Sequence, residues 1–122
     1  MARHHNSVFD MDFEMDQIAE LKLIAPDLSV AHEGGFTFIH ITNLCMPEGC
    51  TPEVVNALLC PEPRDGYSSR LFLSEQISNR PGLNWNGNIR ILEKNWHAIS
   101  WQTQPGHRLA EMLILHLKPF RL

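Results

Sequence analysis

Residues 83–101 read LNWNGNIRILEKNWHAISW, and the rest of the chain is organised around them. They include all three tryptophans of the chain, Trp85, Trp96 and Trp101. Each indole can bury on the order of 200 Å² and still needs a partner for its N–H, so the cluster predicts a packed, ordered centre. The Asn-Trp-Asn-Gly-Asn run at 84–88 is dense in turn formers and predicts a tight polar turn. Such a pattern is typical of a functional site, and equally of a core that contains a hairpin.

The composition indicates one domain over residues 1–122, with residues 1–9 frayed. Ten basic against 14 acidic residues give a formal net charge of −4, which favours neither nucleic acid nor an anionic membrane as a partner. No apolar run approaches the roughly 20 residues that span a bilayer, and no signal peptide is recognised, so a cytoplasmic location is expected. Three cysteines without a CxxC pair predict no disulfide scaffold, and neither a metal nor another cofactor is expected.

Periodicity predicts an N-terminal helix and then four strands. The helix runs from Asp10 or Asp12 to about Ile24, because apolar residues recur at helical spacing and Pro26 follows. Alternation of apolar and polar residues around a Gly34-Gly35 turn predicts a hairpin, and two further apolar runs predict two more strands. The predicted strands are 28–32, 36–42, 54–60 and 70–73.

The rest of the chain is predicted to be irregular except at its end. Two prolines and a glycine make 61–67 an irregular loop, and Pro81-Gly82 interrupts 78–87. Residues 89–92 are expected to be extended or turn-like, and 96–101 partly helical. Pro105 opens a final helix with a core-facing stripe of Leu109, Leu113, His116, Leu117 and Phe120. The predicted fold class is α+β, with the four strands as an antiparallel meander and the helices packed on it.

This order of elements resembles the ubiquitin-conjugating (UBC) fold. The loop CPEPRDGYSSRLFL at 60–73 resembles the proline-rich loop of that family, and RPGLNWNGNIRIL at 80–92 resembles its active-site signature. In the second stretch Pro81 matches the proline of the His-Pro-Asn tripeptide, Gly87 the glycine and Ile89 the branched residue before the catalytic cysteine. The resemblance is closest to the divergent bacterial members found beside ubiquitin-like proteins and activating enzymes.

Three departures from the family pattern remove its chemistry. Arg90 occupies the place of the nucleophilic cysteine, Arg80 that of the histidine, and Gly82 that of the oxyanion-stabilising asparagine. Thioester transfer needs a thiolate and a hydrogen-bond donor for the developing oxyanion. The resemblance therefore implies a non-catalytic variant that binds a ubiquitin-like protein or an activating enzyme. An enzyme remains an open alternative.

The catalytic alternative needs a relocated nucleophile. Cys50, in a Gly-Cys-Thr-Pro turn, is expected to be the more exposed thiol and is the best candidate. Cys60, at a strand end, is a weaker candidate, and both Cys60 and Cys45 are expected to be buried. His97 is a weak candidate for a general base. His116, on the apolar helix stripe, is expected to be a hydrogen-bonded core histidine.

For binding, the candidates are Arg90, Tyr67, Trp85, Asn86 and Trp96. The donors of Arg90 can hold the C-terminal carboxylate of a docked ubiquitin-like protein bidentately. The proline-rich loop and the Trp-rich segment are expected to pack together, with Tyr67 near Trp85 or Trp96. The predicted function is thus a UBC-like component of a bacterial ubiquitin-like protein modification pathway. The alternatives are a carrier with a relocated cysteine and an α+β scaffold subunit unrelated to such transfer.

Overall fold

The structure, a computed structural model, describes residues 12–122 as a six-stranded antiparallel sheet with two helices on one face. The predicted frayed segment 1–9 and a helix start at Asp10 lie outside the described residues. The α+β class is confirmed, but the prediction of four strands is wrong. The elements are α1 Met15–Lys22, β1 Leu28–Glu33, β2 Phe36–Cys45, β3 Val54–Cys60, β4 Arg70–Leu73, β5 Trp85–Ile91, β6 Lys94–Ile99, α2 Leu109–Leu117 and a terminal 3₁₀-helix Lys118–Phe120.

The first four strands form the predicted meander, and β3 and β4 have the predicted bounds. The β1–β2 turn is made by Gly34 and Gly35, both with positive φ, which is the conformation of a two-residue hairpin turn. β2 pairs with β3 and β3 with β4, all antiparallel. The turn residues and the alternating pattern agree in this part of the chain, so these four strands could be predicted from the sequence.

The two missing strands form a hairpin inside the Trp-rich segment. β5 pairs antiparallel with β6, and β6 lies next to β4, so the sheet order is β1-β2-β3-β4-β6-β5. The prediction of a partly helical 96–101 is therefore wrong. The turn between the strands consists of Leu92 and Glu93, with φ of 53° and 64°. Non-glycine residues rarely adopt this left-handed conformation, so nothing local in the sequence signals the turn.

The Asn-rich run 84–88 is also not the predicted tight turn. It belongs mostly to β5, with an irregular register between Asn86 and Ile89. Asn88 has a φ of 57°, whereas Gly87 does not have a positive φ. Gly87 instead allows a close approach, because a Cβ there would lie 3.1 Å from Nδ1 of His97 and the imidazole would have to shift. The run is a bulged edge strand.

The sheet carries a core on each face. The helix-side core joins Ile18 and Leu21 of α1 and Leu113 of α2 to inward residues of the strands such as Ile39 and Leu59. A second, concave core lies on the other face and contains Phe38, Leu58, Cys60, Phe72, Ile91, Trp96 and Ala98.

The sheet is strongly curled around this concave core. The ring centroids of His40 on β2 and Trp96 on β6 are 6.2 Å apart. In a flat sheet the three strand spacings between β2 and β6 would separate their axes by about 14 Å. The Glu33 carboxylate at the end of β1 also accepts a hydrogen bond from the Leu92 N–H at 2.8 Å. The two ends of the sheet therefore approach each other over the concave face.

The closing helix α2 begins at Leu109, not at Pro105, because Arg108 is its N-cap residue. The guanidinium of Arg108 donates to both carboxylate oxygens of Glu20 at 2.9 and 3.0 Å and to Asp16 at 2.8 Å, which ties α1 to the start of α2. The predicted core stripe is confirmed, since all five of its residues are buried: Leu109, Leu113, His116, Leu117 and Phe120.

Candidate functional site

Arg90 lies near the end of the edge strand β5, with its side chain exposed to solvent. One of its nitrogens, Nη1, donates to the Asn95 side-chain oxygen at 3.3 Å across the hairpin. A cation on an exposed edge strand is accessible to a partner. Within residues 12–122, the Arg90 guanidinium forms no other hydrogen bond and no ion pair. The position is therefore suited to binding an anion, which remains a prediction.

The Arg80-Pro81-Gly82 turn lies at the opposite end of the same strand and is anchored to the C-terminal 3₁₀-helix. Arg80 Nε donates to the Phe120 carbonyl at 2.9 Å. Trp85 Nε1 donates to the Arg80 carbonyl at 3.0 Å, and the Trp85 ring packs on Phe120 with centroids 5.9 Å apart. Trp85 and Arg80 therefore have a structural role, because their contacts fix the start of β5 to the C-terminal 3₁₀-helix.

The residues aligned with the family's histidine and nucleophile are therefore not brought together. Trp85, which contacts Arg80, and Arg90 are five positions apart in one strand, about 16 Å at the usual rise per residue. A catalytic group must lie within hydrogen-bond reach of the atom it serves. Positions 80–82 and 90 cannot serve one reacting centre in this geometry.

The cysteines are distributed differently from the prediction. Cys50, expected to be the exposed thiol, is 2% exposed, and its Sγ–H donates to the Phe120 carbonyl at 3.5 Å. Cys60 is fully buried as expected, and burial raises the pKa of its thiol. Cys45, expected in the core, is instead the exposed one. The expectation was wrong for Cys45 and Cys50 because β2 runs on to Cys45 and the C-terminal residues cover Cys50.

The proline-rich loop is more regular than predicted. Arg64 and Tyr67 exchange two backbone hydrogen bonds of 2.9 Å around Asp65-Gly66, both of which have positive φ. This is a two-residue hairpin turn, and Asp-Gly is one of its strongest sequence signals, which the two flanking prolines obscured. The loop is therefore an ordered element.

Two arginines hold this loop over the concave core. The Arg64 guanidinium lies over the Phe36 ring at 4.6 Å, and the Arg70 guanidinium lies over the Tyr67 ring at 4.5 Å. Both arginines contact Asp65 Oδ2, at 3.3 and 3.5 Å. Because Arg70 is 5% exposed, its charge is desolvated, and Asp65 with the aromatic faces offsets that cost. Tyr67 is thus a half-buried support of the loop.

The loop also contacts the chain just beyond Trp101. The Ser68 N–H donates to the Gln102 side-chain oxygen at 2.9 Å, and Gln102 Nε2 donates to the Gly66 carbonyl at 2.9 Å. These hydrogen bonds join the loop to the residue that follows the Trp-rich segment. The ring contact found for Tyr67 is with Arg70, not with Trp85 or Trp96.

A buried polar cluster, which the sequence did not reveal, lies under the loop. Ser69 Oγ is 2.8 Å from His116 Nε2 and 3.0 Å from Thr103 Oγ1. All three residues are buried, and burial lowers the pKa of His116 to about 4, with the Arg70 guanidinium adding to the shift. The expectation that His116 is a hydrogen-bonded core histidine is confirmed. An imidazole that joins α2 to Ser69, the residue before β4, has a structural role.

His97 lies on the other face of β6 from Trp96. Its Nδ1 is buried without a hydrogen-bond partner within residues 12–122, and it faces Gly87. This histidine therefore packs against the bulged strand. The role of His97 as a general base remains a prediction. The contacts of its Nδ1 within residues 12–122 include no nucleophile.

The remaining binding candidates differ in accessibility. Trp96 is 2% exposed in the concave core, with its Nε1–H donated to the Ile91 carbonyl at 2.9 Å. Asn86 is half-buried, and its amide donates to Ser100 Oγ at 3.0 Å and to the Asn84 carbonyl at 3.2 Å. Of the five predicted binding residues, Arg90 is the exposed one.

Comparisons with protein-family models, with curated proteins and with solved structures each found no match. No helix within residues 12–122 is long and apolar enough to cross a membrane. In the same part of the chain no three His, Cys, Asp or Glu side chains are grouped closely enough to hold a metal ion.

Proposed function

We propose that this chain is a non-catalytic, UBC-like component of a bacterial ubiquitin-like protein modification pathway. Its partners are a ubiquitin-like protein and its activating enzyme, and its location is cytoplasmic. The observation that carries the proposal is the exposed Arg90 in the place of the family's nucleophile, at the opposite end of β5 from the Arg80 turn.

The order of elements supports this reading. Within residues 12–122, α1 precedes a four-stranded antiparallel meander, an ordered proline-rich loop follows β3, and α2 packs on the same face of the sheet as α1. The β5–β6 hairpin is an addition to the expected pattern, since it extends the sheet beyond the four-stranded meander to six strands. Because the same architecture can serve unrelated functions, the proposal depends on the residues of the site.

The state of the thiols supports the non-catalytic form. Transfer of a ubiquitin-like protein needs an accessible thiolate, because the thiolate is the attacking species. Cys50 and Cys60 are both buried and hydrogen-bonded through their thiols to carbonyl groups. In the carrier alternative, the exposed Cys45 is therefore the candidate nucleophile.

The test is a transfer assay with the purified chain, ATP and the ubiquitin-like protein and activating enzyme of the same genome. We expect no reductant-sensitive adduct on the chain, together with a measurable non-covalent complex. Arg90→Glu should weaken that complex because it reverses a charge aimed at a carboxylate. Arg90→Lys is the matched control, since it keeps the charge and loses only the bidentate geometry.

The outcomes separate the alternatives. An adduct that disappears with thiol reductant and in Cys45→Ser would establish the carrier function and overturn the adaptor. Absence of both an adduct and a complex would favour a scaffold subunit unrelated to ubiquitin-like transfer.

A further inference from the structure

A groove of about 640 Å³ lies between the end of α1, the loop after β2 and the outer side of α2. Arg90 is not among its lining residues. The groove continues over the last residues into a second depression of about 340 Å³, and the two share Ile114, Arg121 and Leu122. The remaining lining residues of the larger part are Ile24, Cys45, Met46, Pro47, Glu48, Gly49 and Leu117.

Most of the residues that line this groove are apolar. The sequence of α2, LAEMLILHL, is apolar at every position except Glu111 and His116. A helix that is apolar on all sides is normally buried on all sides. Here Ile114 is 43% exposed and faces the groove, and Ile24 at the end of α1 is 37% exposed beside it. The packing within residues 12–122 leaves this side of α2 uncovered.

Cationic side chains outnumber acidic ones in the lining of the two depressions. Arg121 lines both depressions, Lys118 lines the smaller one, and Glu48 is the one acidic residue, in the larger one. The chain as a whole has a formal charge of −4. An apolar strip bordered by cations is complementary to a segment whose apolar residues are flanked by carboxylates.

The backbone around the groove indicates which secondary structure fits. The floor is α2, whose backbone groups are bonded within the helix. In the loop wall, the Pro47 carbonyl accepts from the Cys50 N–H, and the Gly49 carbonyl accepts from Asn79 Nδ2. A docking segment thus finds no row of strand hydrogen bonds here and must satisfy its own backbone groups, as a helix does.

We propose that this groove binds an acidic amphipathic helix of a partner protein. The apolar side of that helix packs on Ile114 and Ile24, and its carboxylates face Lys118 and Arg121. The proposal is independent of Arg90 and of the ubiquitin-like pathway, so either can fail without the other.

The probe is a fluorescent peptide of about 15 residues, a length at which an isolated helix begins to form. It has leucines at i, i+3, i+4 and i+7 with glutamates between them, and a matched peptide has lysines in place of the glutamates. Fluorescence anisotropy with the full chain should show saturable binding of the acidic peptide and at least about tenfold weaker binding of the basic one. The affinity for the acidic peptide should fall as salt is raised.

Two variants with matched controls locate the site. Ile114→Glu should weaken the acidic peptide by about tenfold or more, whereas Val54→Glu, at a 44% exposed apolar residue of β3 outside the groove, should not. Arg121→Glu should also weaken it, whereas Lys94→Glu, with the same change in net charge, should not. Thermal unfolding of each variant establishes that it is folded.

Three results would overturn the proposal. These are no binding of the acidic peptide, equal binding of the two peptides, and equal loss in Ile114→Glu and Val54→Glu. Sedimentation of the wild-type chain tests another occupant, since a dimer that Ile114→Glu dissociates would mean that the groove binds a second copy.

Discussion

The imidazole of His40 meets the indole of Trp96 edge-on, with an angle of 82° between the rings. The two residues belong to β2 and β6, which are separated in the sheet by β3 and β4. Their contact defines the curl of the sheet and encloses the concave core. Burial lowers the pKa of His40, and the nearby Lys94 adds to that shift, which favours the neutral form of the ring that faces Trp96. The indole is central to the concave core because its N–H also anchors the start of the Leu92-Glu93 turn.

Trp96→Ala should therefore lower the free energy of unfolding by ~3–5 kcal/mol, through the cavity it leaves and the lost hydrogen bond. That is a large part of the stability of an ordinary domain. Denaturant melts measure it, and Trp85→Ala, at a half-buried indole, should cost less. A loss below about 1 kcal/mol for Trp96→Ala would mean that the indole is exposed in solution and available as a binding anchor.

Glu93→Gly should stabilise the protein. Glu93 is exposed and has a φ of 64°, a conformation that costs a non-glycine residue about 1–2 kcal/mol. Glycine removes that strain, but it loses more conformational entropy on folding, which costs about 0.5–1 kcal/mol. The free energy of unfolding should therefore rise by about 0.5–1 kcal/mol. The neighbouring Lys94→Gly, within β6, should instead destabilise the fold. Melts in which both variants lose stability equally would contradict the left-handed turn.

Acid should destabilise the protein through His116. Its pKa is about 4 in the folded chain, below the ordinary 6.5 of the unfolded chain, so the unfolded state binds a proton first as the pH falls. The contribution is therefore fully present above pH 6.5 and is lost progressively towards pH 4, with a total of roughly 3 kcal/mol. The comparison is with His116→Gln, which lacks this titration and should lose less stability over the same interval.

A direct measurement complements those melts. The imidazole resonance of His116, followed by NMR through a pH titration of the folded protein, should shift near pH 4. A titration of this resonance near 6.5 would show that the Ser69–His116 contact is open to water.

The three thiols should react at very different rates. Iodoacetamide should alkylate Cys45 in the folded protein, because Cys45 is exposed, whereas Cys50 and Cys60 should react only after unfolding. Mass spectrometry of digested protein identifies the modified residue, and Cys45→Ser should abolish labelling of the folded chain. Rapid alkylation of Cys50 without denaturant would reopen its candidacy as a nucleophile.

The parts of the fold in which the hydrophobic periodicity and the turn residues agree could be predicted from the sequence. The strands β1 to β4 follow from alternating or continuous apolar runs, with Gly34 and Gly35 supplying the left-handed turn of the first hairpin. The core stripe of α2 follows from helical spacing in the same way. Alternation and turn chemistry act between neighbours in the chain, so they are visible in the sequence.

The β5–β6 hairpin and the burial of the Cys50 thiol depend on contacts between residues far apart in the chain, so they could not be predicted from local sequence. The Leu92-Glu93 turn is unfavourable by itself, and it is supported by Glu33, 59 positions away in the chain. The buried Cys50 thiol donates a hydrogen bond to the carbonyl of Phe120, which lies 70 positions away in the chain. The Ser69 hydroxyl is hydrogen-bonded to the imidazole of His116, which lies 47 positions away in the chain. Contacts at such separations form when the sheet curls and α2 docks, and no local pattern encodes which residues they join.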